Sequence, residues 1–386
     1  MNPVNNQWKF SRSHQNAYKE CPQLCWLKYY EDGTGYESAR VNVEQSTGTL
    51  LHSALQGIME HVRATDSLPP ESVVAASLQS SIEAYKQEVL ERGFDVEQVG
   101  DMKMELMRQS ALVEGLVRAW VAVRLPEILE RYKVVSVEEE WEVELDPEVV
   151  CMMRIDTILE ERDSKDLWPL EFKTSGWMSD GYLEKYRYDS QTLMHGWATE
   201  NHYGRVCGGV RIEVFYKGYT NRDKETGAKV YHSPLVKGYM KRGAPPFDDD
   251  EFSWDYNVGR RKGWESIRVW EQMDMKAWVG LLPENVLREQ LFGIDIYRNE
   301  SEVETWIAQT IIEQKRIRDA VPKAGDPQVM MEVFPSRLDE GCYSNKYRKK
   351  CPFLQVCWEG ILPSESEQYR VRRPHHSTEK FEVEED

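Results

Sequence analysis

The chain has 386 residues, 40% of them hydrophobic, and carries a formal net charge of −17. A chain of this length can bury a large core, and one elaborated domain is expected rather than two equal ones. The acidity argues against a surface that coats nucleic acid without specificity, although a basic channel inside an acidic shell remains compatible with it. Part of the negative charge is displaced to runs such as Asp248-Asp249-Asp250-Glu251 and the terminal Glu382-Val383-Glu384-Glu385-Asp386. No transmembrane segment, internal repeat or secretory signal is visible. A reducing setting is therefore expected for the seven cysteines, cytoplasmic or, for a viral chain, the host's cytoplasm.

A helical N-terminal region is predicted over residues 10–131, with a loop at Pro69-Pro70. Within it, Gly48-Thr49-Leu50-Leu51-His52 opens a helix with Leu51, Leu55, Ile58 and Met59 at helical spacing. His52 shares that stripe, and taken alone it reads as a core histidine. Met104 to Arg131 forms a long amphipathic stretch whose apolar stripe includes Leu112, Leu116, Trp120 and Leu129.

Three strands follow at about 133–145, 149–161 and 167–174. The first two are joined at Asp146-Pro147-Glu148 and the last two by the polar turn Glu161-Arg162-Asp163-Ser164-Lys165-Asp166. Gly181 to Asn201 reads as a helix with Tyr188, Gln191 and His195 at i, i+3 and i+7, and a strand follows at 206–217. Residues 218–300 look like an insertion, with a hairpin around Asn221 to Ala228, a loop at 243–251 and a Trp-rich helical piece at 264–281. Ser301 with Glu304 forms a capping box for a helix running to Val321, and the stretch from Pro363 reads as a disordered charged tail.

The chemistry concentrates in the second hairpin. Pairing its strands about the middle of the turn puts Asp156 opposite Glu171, and Lys173 shares the face of Glu171 because side chains alternate along a strand. Two carboxylates about 5 Å apart across a ladder repel unless a positive charge lies between them. A hard divalent cation, Mg²⁺ or Mn²⁺, suits oxygen ligands, and the lysine is placed to position or deprotonate water beside it. Charged residues on the solvent face of a hairpin are common, so these three residues alone do not establish a site.

A second constellation is made of cysteines. Cys151 and Cys207 lie in apolar strand-like runs and read as small buried hydrophobes. Cys21-Pro22 near the start and Cys342, Cys351-Pro352 and Cys357 near the end could together supply four thiolates, for zinc or for an iron–sulfur cluster. Cys25, one helical turn after Cys21, competes as the first ligand. Two basic clusters are interleaved with aromatics: Arg260-Arg261-Lys262 before Trp264, and Lys346-Tyr347-Arg348-Lys349-Lys350. Such clusters suit a single nucleic-acid strand, though most are merely solvated surface.

The order Gly-x-x-x-His, Asp, Glu-x-Lys, Gln resembles the PD-(D/E)XK nuclease superfamily, and specifically its RecB-like branch, which includes AddB-type and CRISPR-adaptation nucleases. The resemblance implies an α/β (α+β) fold with a restriction-endonuclease-like core, a central mixed sheet flanked by helices. The implied organisation is one nuclease domain over 1–362: the helical part 10–131, a catalytic core 132–217, the insertion 218–300 and a C-terminal helix with the cysteine cluster at 301–362. A tail at 363–386 completes it.

It further implies that His52, Asp156, Glu171 and the main-chain carbonyl of Phe172 ligate Mg²⁺ or Mn²⁺. Lys173 would position the attacking water, and Gln191 would orient substrate or the lysine. Cys21, Cys342, Cys351 and Cys357 would hold a structural [4Fe–4S] cluster stapling the ends of the domain, with Zn²⁺ as the alternative occupant. Two departures stand out: His195 occupies the position where the branch has tyrosine, and eight residues separate Cys342 from Cys351.

The implied activity is hydrolysis of DNA phosphodiesters, with single-stranded substrate and exonuclease action favoured. Tyr188, His195, Arg260 and Arg261 are the candidate substrate contacts. The alternatives are a vestigial nuclease-fold assembly subunit of a recombination or defence complex, and a zinc-stapled endonuclease acting on RNA or branched DNA. No Walker loop is present, so a helicase, recombinase or other complex subunit would sit on a separate chain.

Overall fold

The computed structural model describes residues 7–39, 46–91, 100–176, 178–222, 284–323, 325–337 and 349–373, with shorter pieces at 229–282 and 342–344. In chain order the elements are β1 (Trp8–Ser11), α1 (Arg12–Glu20), α2 (Pro22–Tyr29), β2 (Tyr36–Ser38), α3 (Ser46–Thr65), α4 (Glu71–Glu91), α5 (Gly100–Val123) and α6 (Leu125–Arg131). The sheet strands β3 (Tyr132–Asp146), β4 (Val149–Glu161) and β5 (Leu167–Ser175) follow, then α7 (Asp180–Glu184), α8 (Ser190–Tyr203) and β6 (Val210–Tyr216). Next come β7 (Tyr219–Arg222), β8 (Lys229–His232), β9 (Lys237–Lys241), β10 (Trp264–Arg268), α9 (Glu284–Arg288), β11 (Leu291–Ile296) and α10 (Glu300–Ala320). The described chain closes with α11 (Pro327–Val333), β12 (Tyr343–Ser344), β13 (Lys349–Lys350), α12 (Leu354–Glu359) and β14 (Tyr369–Val371).

One mixed sheet organises these elements. Its strands run β1-β4-β5-β6-β11, and β3 pairs with β4 as well. β1 is parallel to β4 and β5 is parallel to β6, whereas β3–β4, β4–β5 and β6–β11 are antiparallel. Both faces are covered, which is why β4 and β5 read as nearly continuous apolar runs rather than alternating ones. On one face Leu51, Leu55, Ile58 and Met59 of α3 pack with Leu112, Leu116 and Trp120 of α5 against Leu170, Phe172 and Phe215. On the other, Met194 and Ala198 of α8 and Trp306 of α10 cover Cys151, Met153, Ile155 and Ile158. Truncating any one of these large buried side chains would cost about 2–5 kcal/mol.

A mixed sheet flanked by helices is the fold class expected from sequence, and several details differ from expectation. The N-terminal region is not wholly helical: β1 joins the sheet, and β2 pairs with β14. Both strands are three or four residues long, too short to show periodicity. Residues 363–373 are ordered, because Arg370 pairs with Glu37 and Arg372 donates its N–H to the Gly35 carbonyl at 3.0 Å. Within the supposed insertion, β11 completes the central sheet beside β6.

Other differences are local. The piece at 264–268 is a strand paired with β9, its Trp and Ile favouring the pleat over a helix. A hairpin forms where expected, between β7 and β8. The helix expected over 181–201 is interrupted, because Asp189 takes an extended conformation and caps α8. The capping box of α10 is made by Asn299 and Glu302, two residues before the expected pair. The loop at 243–251 and residues 374–386 lie outside the described residues. No described helix is long and apolar enough to cross a membrane.

Candidate active site

A discontinuity in the sheet creates the site. β3 takes one edge of β4 along its length, while β1 and β5 share the other: β1 pairs with Val149–Met152 and β5 with Leu167–Leu170 against Thr157–Glu160. Residues 153–156 lie between these two ladders. The β4–β5 register, extended by one pair, sets Asp156 opposite Glu171, but backbone pairing has ended there. Instead the Phe172 N–H donates to Asp156 Oδ2 at 2.7 Å, so the carboxylate closes the ladder where a carbonyl would otherwise serve.

The other Asp156 oxygen, Oδ1, lies 3.2 Å from His52 Nδ1. His52 sits nearly two turns into α3, held by the fully buried Leu51 and Leu55 on either side, with its ring edge-on to Phe172 at 6.3 Å. Burial alone would lower the His52 pKa, but the charge and hydrogen bond of Asp156 reverse this and the net shift is upward.

Glu138 joins them from β3. The flanking pairs Val137–Thr157 and Glu139–Ile155 bring it opposite Asp156, and its φ of 50° is a left-handed conformation rare for a non-glycine residue in a strand. Ligand atoms of His52, Glu138 and Asp156 all lie within 4.8 Å of one another. Burial, followed by the nearby Asp156 charge, pushes the Glu138 pKa up to about 7. Two carboxylates and an imidazole so disposed form a donor set for a hard divalent cation, which would relieve their repulsion.

Glu171 is engaged differently. It is 2% exposed, and its Oε2 accepts from Lys173 Nζ and from Gln191 Nε2, each at 2.7 Å. His195 Nδ1 lies 2.9 Å from Oε1. Burial by itself would raise the Glu171 pKa. The Lys173 ammonium and His195 outweigh it, holding this carboxyl well below the usual carboxylate range. The same pairing works in reverse on Lys173: burial lowers its pKa, and the charges of Glu171 and Asp156 more than restore it. Lys173 is thus held as a cation paired with Glu171, within electrostatic reach of Asp156 and with a quarter of its side chain exposed.

The helix that delivers Gln191 and His195 is fixed at its N-terminus. The Asp189 side chain accepts the Gln191 N–H at 2.9 Å. Arg298 donates to the carbonyls of Tyr186 and Asp189 and to the Thr192 hydroxyl. Phe172, between Glu171 and Lys173, buries its ring edge-on against Trp120 at 5.5 Å, which locks the strand that carries both.

The structure therefore brings His52, Asp156, Phe172, Glu171, Lys173, Gln191 and His195 into one contact network. Tyr188 is 78% exposed on the turn before α8. Arg260 and Arg261 lie outside the described residues. Glu138 was missed by sequence reasoning, and a signal for it exists. Asp156 lies nine residues after Pro147 and Glu138 nine before it, so reflection through that turn pairs them.

The cysteines gather at the far end of α1. Cys21 breaks the chain between α1 and α2, with extended backbone angles and Pro22 opening the next helix. Cys351 interacts electrostatically with Cys357, Cys342 and Cys21, and the Cys351 N–H donates to the Cys342 carbonyl at 2.9 Å. Burial, then the neighbouring sulfurs, raise the thiol of Cys351 to about 12 and that of Cys357 to about 11. Cys25 is fully buried and its thiol points to the His14 carbonyl at 3.6 Å.

A helix-flanked mixed sheet with an aspartate and a Glu-x-Lys on neighbouring strands defines the class of metal-dependent nucleases. The family model of the PD-(D/E)XK nuclease superfamily matches residues 9–357. The chain belongs to that superfamily. No curated protein matches it.

Proposed function

We propose that this chain is a Mg²⁺- or Mn²⁺-dependent deoxyribonuclease of the RecB-like branch, acting from an end of single-stranded DNA. The observation that carries the reading is the Lys173 ammonium paired with Glu171 at 2.7 Å, on the strand beside the donor set of His52, Glu138 and Asp156. Asp156 and His52 would hold the divalent ion with Glu138, and Glu171 and the Phe172 carbonyl complete the set expected from sequence. Bound there, the ion supplies charge neutralisation at the phosphate and activation of water. The Lys173 ammonium would orient the attacking water by donating a hydrogen bond to it, while Gln191 keeps Glu171 aimed through its Nε2–Oε2 hydrogen bond. The preference for single strands and for ends rests on the branch resemblance, together with the exposed Tyr188 as a stacking surface.

We assign Cys21, Cys342, Cys351 and Cys357 to a structural [4Fe–4S] cluster that joins the chain ends. Cys21 is favoured over Cys25 because it stands at the break between α1 and α2, whereas Cys25 is fully buried within α2. The chelating group at 4.8 Å spacing among the described residues is the histidine–carboxylate one. DNA, and a helicase or recombinase subunit on another chain, are the partners this reading implies.

The test is cleavage of end-labelled single- and double-stranded oligonucleotides by anaerobically purified protein, with Mg²⁺ or Mn²⁺ and a chelator control. Metal-dependent shortening from one end of the single strand is expected, from brown protein containing about four irons per chain. Brown, folded protein that binds DNA without cutting it would overturn the catalytic reading. A colourless zinc protein would overturn the cluster.

A further inference from the structure

We infer that Arg12 is a positioning residue for the hydrolytic centre, acting through Gln191; this rests on the nuclease reading above. Arg12 is the first residue of α1, directly after β1, whose pairing with β4 ends at Ser11 and Met152. It therefore emerges at the break in the β4 edge that also holds Asp156. Its guanidinium donates to the Gln191 side-chain oxygen through one terminal nitrogen and to the Asp189 carboxylate through the other. A fifth of the Arg12 side chain is exposed.

The chemistry of the three partners fixes one arrangement. An arginine only donates and an ionised carboxylate only accepts. Gln191 lies between them, with Oε1 towards Arg12 and Nε2 towards Glu171. Its amide can then sit only one way round, with the NH₂ group on the Glu171 oxygen that also accepts from Lys173. The second arm of the fork grips Asp189, the residue that caps α8, so one planar group sets both the helix start and the amide on its first turn. The Arg12 charge also acts on Lys173, opposing the upward pull of Glu171 and Asp156.

Without Arg12 the amide is free to rotate. Whenever Oε1 turns towards Glu171 the hydrogen bond to Oε2 is lost and two acceptors face each other, so the carboxylate that holds the ammonium loses one of its fixed partners. A lysine at position 12 carries the charge but is a point donor without the fork, so it restores one arm at most. The loss should appear in turnover and not in substrate binding, because the Arg12 fork is spent on protein groups.

A double-mutant cycle tests this: single-turnover cleavage and KM for wild type, Arg12→Ala, Gln191→Ala and the double variant, with Arg12→Lys and Asp189→Ala beside them. Urea unfolding of the same proteins reports whether the contact contributes to stability. Arg12→Ala is expected to lower kcat by roughly 10- to 100-fold with KM within about threefold, and the double variant to be no slower than Gln191→Ala alone. Arg12→Lys should recover only part of the loss, and Asp189→Ala should cost less than Arg12→Ala.

Multiplicative losses in the double variant, or a loss confined to KM, would overturn the assignment and make Arg12 a substrate contact. Equal effects of Arg12→Ala and Asp189→Ala, matching the loss of stability, would also overturn it and reduce Arg12 to a helix clamp. An inactive wild type would instead sink the nuclease reading. In that case the unfolding cycle alone decides whether Arg12 and Gln191 are coupled, and additive stabilities would overturn the contact itself.

Discussion

The proposed hydrolytic centre and the cysteine group stand at opposite ends of α1, with Arg12 at one end and Cys21 following the other. They are prepared for metal in opposite ways. Glu171 and Lys173 hold each other in their charged forms against burial, so this half of the centre is set before any ion arrives. The thiols of Cys351 and Cys357 are pushed by burial to about 12 and about 11, so their ligand form exists only once metal displaces the proton. The first region is a set of charges balanced within the fold, and the second, on the cluster proposal, would be a staple across a chain separation of more than 300 residues. Losing metal should therefore stop chemistry at one end of α1 and loosen the fold at the other.

The largest effect that could break this contrast is on stability. Cys357→Ser should remove iron and lower Tm by roughly 3–6 °C, the shift of about 3–5 kcal/mol in a domain of this size, while His52, Asp156 and Lys173 keep their arrangement. Iron content, differential scanning calorimetry and cleavage per folded molecule check it. Unchanged Tm after iron loss would remove the staple. Next in size, Glu138→Gln should raise the Mg²⁺ concentration for half-maximal cleavage by about 10-fold, with the rate at saturating metal within about threefold. A metal titration that overlays the wild type would take Glu138 out of the donor set. The smallest expected effect is that of Cys25→Ser: iron is retained and stability falls by only about 1 kcal/mol, since a buried thiol is exchanged for a hydroxyl. Loss of iron in that variant would exchange the roles of Cys21 and Cys25.

The same two regions differ in how far they were legible in the sequence. β4 begins and ends at the residues expected, and the Asp156–Glu171 register follows from a six-residue polar turn, because a hairpin register is set locally. Glu138 escaped because it is one of three successive glutamates, Glu138-Glu139-Glu140, and alternation alone does not say which of them faces Asp156. Only its left-handed backbone and the register through Pro147 turn it inwards. Arg12 escaped because its partners lie 177 and 179 residues away, on a helix whose capped start was not foreseen. Near the cysteines, β2 and β14 were missed for a similar reason: their pairing joins residues 36–38 to 369–371, a contact that no local pattern announces. His195, the departure from the branch's tyrosine, is buried against Glu171, where a ring nitrogen stands within 2.9 Å of the carboxylate.

The central claim is that Lys173, paired with Glu171, drives hydrolysis of DNA beside a divalent ion. Single-turnover cleavage of an end-labelled strand by wild type and Lys173→Ala, at saturating Mn²⁺, tests it most directly, with Mn²⁺ and DNA binding measured on the same proteins. The variant is expected to stay folded, to bind both ligands within a few-fold of wild type, and to cleave roughly 10²- to 10⁴-fold more slowly. Cleavage at the wild-type rate in the variant would contradict the assignment of Lys173 and with it the site described above.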